Sequence, residues 1–226
     1  MRAIMPNIIN ILALAASICP FAATAQDYFV PSSGKGLVVV LISGVSGTAL
    51  YKDYAEAIAG LGYTAVLVSG KEIGIKDERS GINLKNLIQA TQSDPRVVPG
   101  KVGVVGFSLG GGGALLHAAS QRDTVAFVVA YYPSVTNMPS IAAAGRSVSV
   151  PTLILAGAKD RYNHCCLVES MHEFQSASKN GASPVELVVY PNADHGFNLK
   201  VPAYRSDDAA DAWARVKTML ARYAPV

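Results

Sequence analysis

Five residues, Gly106-Phe107-Ser108-Leu109-Gly110, constrain this chain more than any others. They follow the apolar run Val102-Gly103-Val104-Val105 and precede Gly111-Gly112-Gly113-Ala114-Leu115-Leu116. The pattern G-x-S-x-G therefore stands between a strand signal and a helix signal. The glycines have a steric purpose: a serine on so sharp a turn needs neighbours without Cβ atoms, and the turn leaves its Oγ accessible. The Leu109 amide then opens a helix, where unpaired N–H groups and aligned peptide dipoles favour a developing oxyanion. The plain alternative is a glycine-rich turn with an incidental serine. A base, an acid to orient it and a second oxyanion donor elsewhere in the chain would decide between the two.

The rest of the chain alternates strand and helix signals. Strands are expected at residues 37–42, 63–68, 101–106, 124–131, 152–156 and 185–190, several as continuous β-branched runs suited to parallel strands buried on both faces. Helices are expected at about 49–59, 82–93, 108–120, 167–179 and 207–223, the last with apolar positions at Ala210, Trp213, Ala214, Val216 and Leu220. Such alternation implies an α/β fold: a mostly parallel sheet, right-handed crossovers and helices on both faces. With 226 residues, half of them hydrophobic and only 15% charged, one compact domain is expected and disorder is not. Residues 27–36 read as a short lead-in and 69–80 as a charged loop. Residues 133–150 contain Pro139 and Gly145, have no strong period and are too few for a substantial lid, so the lid is expected to be minimal or absent.

Residues 1–25 read as a cleaved secretory signal ahead of a domain at 26–226. Arg2 gives a basic start, residues 8–16 an apolar core and Ala23-Thr24-Ala25 an A-x-A cleavage site. Asn10 and Pro20 break the apolar run, which is too short for a comfortable membrane span, so the protein is expected to be exported, periplasmic or secreted, with no membrane span after cleavage. Net charge is +3, and the first 25 residues hold one basic residue and no acidic one. A balance this near neutral gives no case for nucleic acid or anionic membrane as a partner. Of three cysteines, Cys165 and Cys166 remain after the signal, side by side. Two buried thiols are the first expectation, with a vicinal disulfide or an intermolecular bridge left open.

In an open parallel sheet, ligands gather at the carboxyl ends of the strands. Ser108, Asp160 and His195 stand there in chain order. Serine is a weak nucleophile and needs an imidazole to take its proton; the imidazole needs an acceptor at its other nitrogen. Asp160 competes with a plain turn role for Gly157-Ala158-Lys159-Asp160, and Asp194 is too near His195 in sequence to reach its ring easily. His117 lies inside the helix after the elbow and is expected to pack or to be half exposed. His164, His172, Cys165, Cys166 and Glu169 show no recognised ligand spacing, so no metal is expected. The loop Ser43-Gly44-Val45-Ser46-Gly47 follows the first buried strand, and the Val45 amide is its best oxyanion donor beside that of Leu109. Tyr132, Tyr162 and Phe197 are candidates for an aromatic pocket, although aromatics at strand ends are as often core. Lys71 and Arg79 are candidates for holding a substrate carboxylate, against the plainer reading of a solvated charged loop.

Residues 101–111, Lys-Val-Gly-Val-Val-Gly-Phe-Ser-Leu-Gly-Gly, and 190–197, Tyr-Pro-Asn-Ala-Asp-His-Gly-Phe, resemble the dienelactone hydrolase branch of the α/β-hydrolase superfamily, over most of residues 35–222. The resemblance implies a near-lidless single α/β-hydrolase domain without metal or organic cofactor, with Ser108 as nucleophile, Asp160 as acid and His195 as base. It departs at one place. The name-giving enzymes use a cysteine nucleophile held by a nearby glutamate; here Ser108 is the nucleophile, and Gly44 stands about where that glutamate is expected. A serine carboxylesterase on small esters is therefore the leading expectation. Dienelactone or lactone hydrolase, thioesterase and a catalytically silent ligand-binding member of the fold are the alternatives. Substrate identity and oligomeric state are not legible.

Overall fold

The computed structural model describes residues 26–75 and 78–226; the expected signal segment lies outside them. The β-branched runs become strands because their residues are apolar on both sides, and both sides are covered. Within β2 (Val38–Ile42), Val38, Val40 and Ile42 enter one core layer and Val39 and Leu41 the other. β3 (Thr64–Val68), β4 (Val102–Phe107) and β6 (Thr152–Gly157) are buried throughout in the same way. With β5 (Val125–Tyr131) and β7 (Val185–Tyr190) they form one sheet in the order β3-β2-β4-β5-β6-β7, every neighbouring pair parallel.

A seventh strand, β1 (Asp27–Phe29), pairs antiparallel with β3 at the sheet's edge, where only a lead-in was expected. Three residues, Asp-Tyr-Phe, carry no period, so the pairing is set by the neighbouring strand rather than by local pattern.

Helices cover the two faces unequally. One core layer holds Leu84, Leu87 and Ile88 of α2 (Glu78–Thr91), Ala144 of α4 (Ile141–Arg146), and Met171 and Phe174 of α5 (Val168–Ser178). The same layer receives the helix leaving β4, which runs as α3 (Leu109–Gly113) and continues as a wider π turn over Ala114–Ala118. The opposite layer is built by Ala55 and Ile58 of α1 (Lys52–Gly60) and by Ala212, Val216 and Leu220 of α6 (Ser206–Tyr223). Two boundaries differ from expectation. α2 starts at Glu78, which places Arg79 on a helix and shortens the charged loop before it. α4 lies within 133–150 and packs against α5, and Ser140 caps it by accepting from the Ala143 amide at 3.1 Å.

Candidate active site

The carboxyl ends of four strands of the sheet, β2, β4, β6 and β7, meet in one place. β4 delivers Ser108, β6 leads to Asp160, β7 leads to His195, and the loop after β2 crosses beside them. Ser108 sits at φ 51°, ψ −113°, a conformation few non-glycine residues adopt. Its amide donates to the Tyr131 carbonyl at 3.0 Å, and its carbonyl accepts from the amides of Gly112 and Ser134 at 3.0 and 2.8 Å. The bend also needs bare backbone. A Cβ on Gly106 would lie 2.6 Å from the Gly110 carbonyl carbon, and one on Gly110 would lie 2.6 Å from the Ser43 carbonyl oxygen.

His195 Nε2 is 3.0 Å from Ser108 Oγ, and Nδ1 is 2.7 Å from Asp160 Oδ2. Asp160 is fully buried, and its other oxygen accepts from the Tyr162 amide at 3.0 Å. With Asp160 ionised, Nδ1–H donates to it and Nε2 is left to accept the Ser108 hydroxyl proton. Asp194 turns away: its Oδ1 accepts from the His195 amide at 2.7 Å and caps the loop. Two tyrosines hold the imidazole. Tyr162 stacks on it with centroids 4.6 Å apart, and Tyr132 meets it edge-on at 4.7 Å. The Tyr132 hydroxyl donates to Asn198 Oδ1 at 2.8 Å, which ties the ring to the loop after His195.

The two expected oxyanion donors have different settings. Leu109 is the first residue of α3, so its amide has no partner within the helix. Among the described residues, no backbone carbonyl accepts from the amide of Val45 either, and Val45 itself is solvent-exposed. Gly44 explains why this loop approaches the serine so closely. A Cβ there would lie 3.4 Å from Ser108 Cβ and 2.5 Å from the Tyr51 hydroxyl, so the phenol of Tyr51 occupies the space a side chain at 44 would need. Burial pushes the Tyr51 pKa up, opposed by a backbone hydrogen bond at Gly44. Sequence reading missed Tyr51. It sits in a stretch read as helix, with no motif to mark it.

The remaining candidates separate. Phe197 is fully buried against Tyr131, Tyr132 and Tyr190, so it is a core residue beneath the loop rather than a pocket wall. Tyr132 is also buried and meets the site through His195, whereas Tyr162 is about half exposed and faces the opening. Lys71 is exposed in the loop after β3, and Arg79 is exposed on the first turn of α2. His117 packs as expected, Nε2 donating to the Gly74 carbonyl at 2.9 Å, and burial lowers its pKa. A cleft of about 410 Å³ lined by Leu50, Tyr54, Asn198 and Trp213 lies on the side of α1 and α6, and neither Ser108, Asp160 nor His195 lines it.

Cys165 and Cys166 are joined in a vicinal disulfide, in place of the two thiols expected. Sequence cannot choose among the pairings of adjacent cysteines, because the choice depends on the turn that presents them. Asn163 and His164, just before them, both have left-handed backbone. His164, His172 and Glu169 do not gather around the pair; His195 does.

A family model described as "Dienelactone hydrolase family" matches residues 71–224, a span holding Ser108, Asp160 and His195. The chain belongs to the dienelactone hydrolase family. It is thus a hydrolase of ester bonds. A carboxymethylenebutenolidase of Rhodococcus opacus is 27% identical over 221 residues, covering 86% of this chain and 84% of that protein. A Klebsiella pneumoniae protein assigned as a dienelactone hydrolase superposes with TM-score 0.74 at 19% identity, covering 88% of this chain and all of the other. Est1E of Butyrivibrio proteoclasticus superposes with TM-score 0.66 at 15% identity, covering 86% and 92%. At such identities the two structures show the shared fold alone. It is the fold expected for this family member: a mostly parallel sheet with helices on both faces.

Proposed function

We propose that this family member is an exported serine carboxylesterase acting on small esters through an acyl-enzyme. The observation that carries the reading is the chain of contacts Ser108 Oγ to His195 Nε2 at 3.0 Å and His195 Nδ1 to Asp160 Oδ2 at 2.7 Å. His195 takes the Ser108 proton as Oγ attacks the ester carbonyl, and Asp160 holds the imidazolium that forms. The amides of Leu109 and Val45 stabilise the oxyanion. His195 then protonates the departing alcohol, and water, activated by the same base, releases the acid. Small substrates suit a site with an exposed Val45 and a half-exposed Tyr162 at its mouth and with α4 packed against α5. Export rests on the sequence of residues 1–25.

A fluorophosphonate probe tests the nucleophile. Labelling is expected on the peptide carrying Ser108 and nowhere else, and folded protein that takes no label would favour a silent ligand-binding role. The lactone reading is kept because the Rhodococcus opacus relative is named a carboxymethylenebutenolidase. Turnover of open esters and lactones, each with and without a distal carboxylate, on wild type and Arg79→Ala separates the readings. A preference for carboxylated lactones that Arg79→Ala removes would favour the second.

A further inference from the structure

The vicinal disulfide stands against the catalytic imidazole. The two sulfurs and a ring nitrogen of His195 all lie within 4.8 Å of one another, a grouping that the esterase reading does not use. We propose that reduction of Cys165–Cys166 creates a site for a thiophilic divalent cation such as zinc or cadmium. The ligands are the two thiolates and His195, and filling the site switches the hydrolase off. The inhibition rests on the Ser108–His195 mechanism above; the binding of the metal does not.

The geometry is close to what such an ion needs. A tetrahedral zinc with Zn–S near 2.3 Å and Zn–N near 2.0 Å sets its ligand atoms about 3.5–3.8 Å apart. From 4.8 Å or less, the imidazole and sulfurs need approach by only about an ångström, once the sulfurs are free to part. The backbone that presents them is anchored independently of the S–S bond. The Cys165 carbonyl accepts from the Val135 amide at 2.8 Å, and the Thr136 hydroxyl donates to the His164 carbonyl at 2.6 Å. Cys166 is buried and Cys165 is half-buried, so a reductant reaches the pair from the Cys165 side.

The chemistry excludes simultaneous catalysis. With Nδ1–H donated to Asp160, the imidazole has one lone pair, on Nε2. That lone pair accepts the Ser108 proton in hydrolysis and would bind the metal in the reduced protein. Asp160 serves both states, because a carboxylate on the far nitrogen is also the usual outer partner of a metal-bound histidine. Soft thiolates give the site its preference for zinc or cadmium over magnesium or calcium.

The steps balance. A dithiol or phosphine reductant supplies two electrons; the S–S bond breaks and each sulfur takes a proton. The reductant leaves as its own disulfide or, with oxygen from water, as the phosphine oxide. Two M–S bonds then form as the two thiol protons leave. In an oxidising compartment the disulfide keeps His195 for Ser108.

The test compares the full chain, oxidised and phosphine-reduced, titrated with cadmium. The reduced protein is expected to bind one ion with thiolate-to-cadmium absorption in the ultraviolet, and ester hydrolysis to fall about a hundredfold or more as the general base is taken. A chelator should restore the activity. The oxidised protein and the reduced Cys165→Ser and Cys166→Ser variants should show neither the absorption nor the matching inhibition. Reduced wild type that binds no cadmium would overturn the proposal. Equal inhibition of oxidised and reduced protein would also overturn it, as would cadmium absorption without loss of activity, which would remove His195 from the site. Because absorption is read apart from turnover, failure of the esterase mechanism itself would show as an inactive protein that still binds the ion.

Discussion

Two sharp bends face the same histidine from opposite sides, and they are built differently. The elbow at Ser108 lies at the centre of the sheet. Its strained serine is held by a hydrogen bond to the Tyr131 carbonyl, by others from the Gly112 and Ser134 amides, and by glycines with no room for a methyl group. The turn from Asp160 to Cys166 lies outside the sheet. Its strained residues, Asn163 and His164, are flanked by an exposed Tyr162 and a bond between neighbouring cysteines. Left-handed backbone costs about 1–3 kcal/mol per residue and persists only where surroundings over-determine it. In the elbow packing does this. In the second bend the disulfide and two hydrogen bonds to residues 135 and 136 do it. The elbow is therefore the rigid half of the site and the second bend the adjustable half.

The largest effect that would sharpen this contrast comes from Asp160, the buried carboxylate at the start of the second bend. Asp160→Asn is expected to lower kcat/KM for a simple ester by about 10³–10⁴ with little change in KM, because the amide no longer holds the productive tautomer. A loss under tenfold would remove Asp160 from the mechanism. Next is the elbow itself. Gly110→Ala forces a methyl group onto the Ser43 carbonyl and should cost about 1–3 kcal/mol or more in urea unfolding. An unchanged midpoint would mean that the elbow yields as readily as its counterpart.

Tyr162→Ala probes the adjustable half. Losing a stacked ring at a partly exposed site is worth about 0.5–1.5 kcal/mol, so kcat/KM should fall roughly 2- to 12-fold while stability hardly moves. Stability loss equal to that of Gly110→Ala would erase the distinction. The smallest effect is a pH dependence under the elbow. Burial holds the His117 pKa below its ordinary value of 6.5, so the unfolded chain takes up the proton first. The stability conferred by neutral His117 is then complete above pH 6.5 and is lost as pH falls through the lowered folded value. Unfolding free energies of wild type and His117→Asn should converge on acidification; a gap that widens would reverse the sign.

What the chain revealed in advance follows the same division. Strands such as Val38–Ile42 and Thr152–Gly157 were legible because a strand buried on both faces must be apolar along its whole length. That Ser108, Asp160 and His195 would meet was legible because all three follow strand ends at the same edge of the sheet. The edge strand Asp27–Phe29 was hidden, since its partner rather than its own pattern specifies it. The π turn at Ala114–Ala118 was read as ordinary helix, because composition does not distinguish one extra residue per turn. Tyr51 behind Gly44 and the vicinal cysteines beside His195 are contacts between distant segments with no local period. Phe197 could be read as pocket wall or core alike, because no sequence signal separates the two at a strand end.

Ser108 as the nucleophile stands or falls on one comparison. Wild type and Ser108→Ala, both verified as folded by their urea transitions, are assayed on p-nitrophenyl acetate. Because Oγ is the atom that attacks, kcat/KM should drop by several orders of magnitude, about 10⁴–10⁶. Unchanged turnover in the alanine variant would contradict the account.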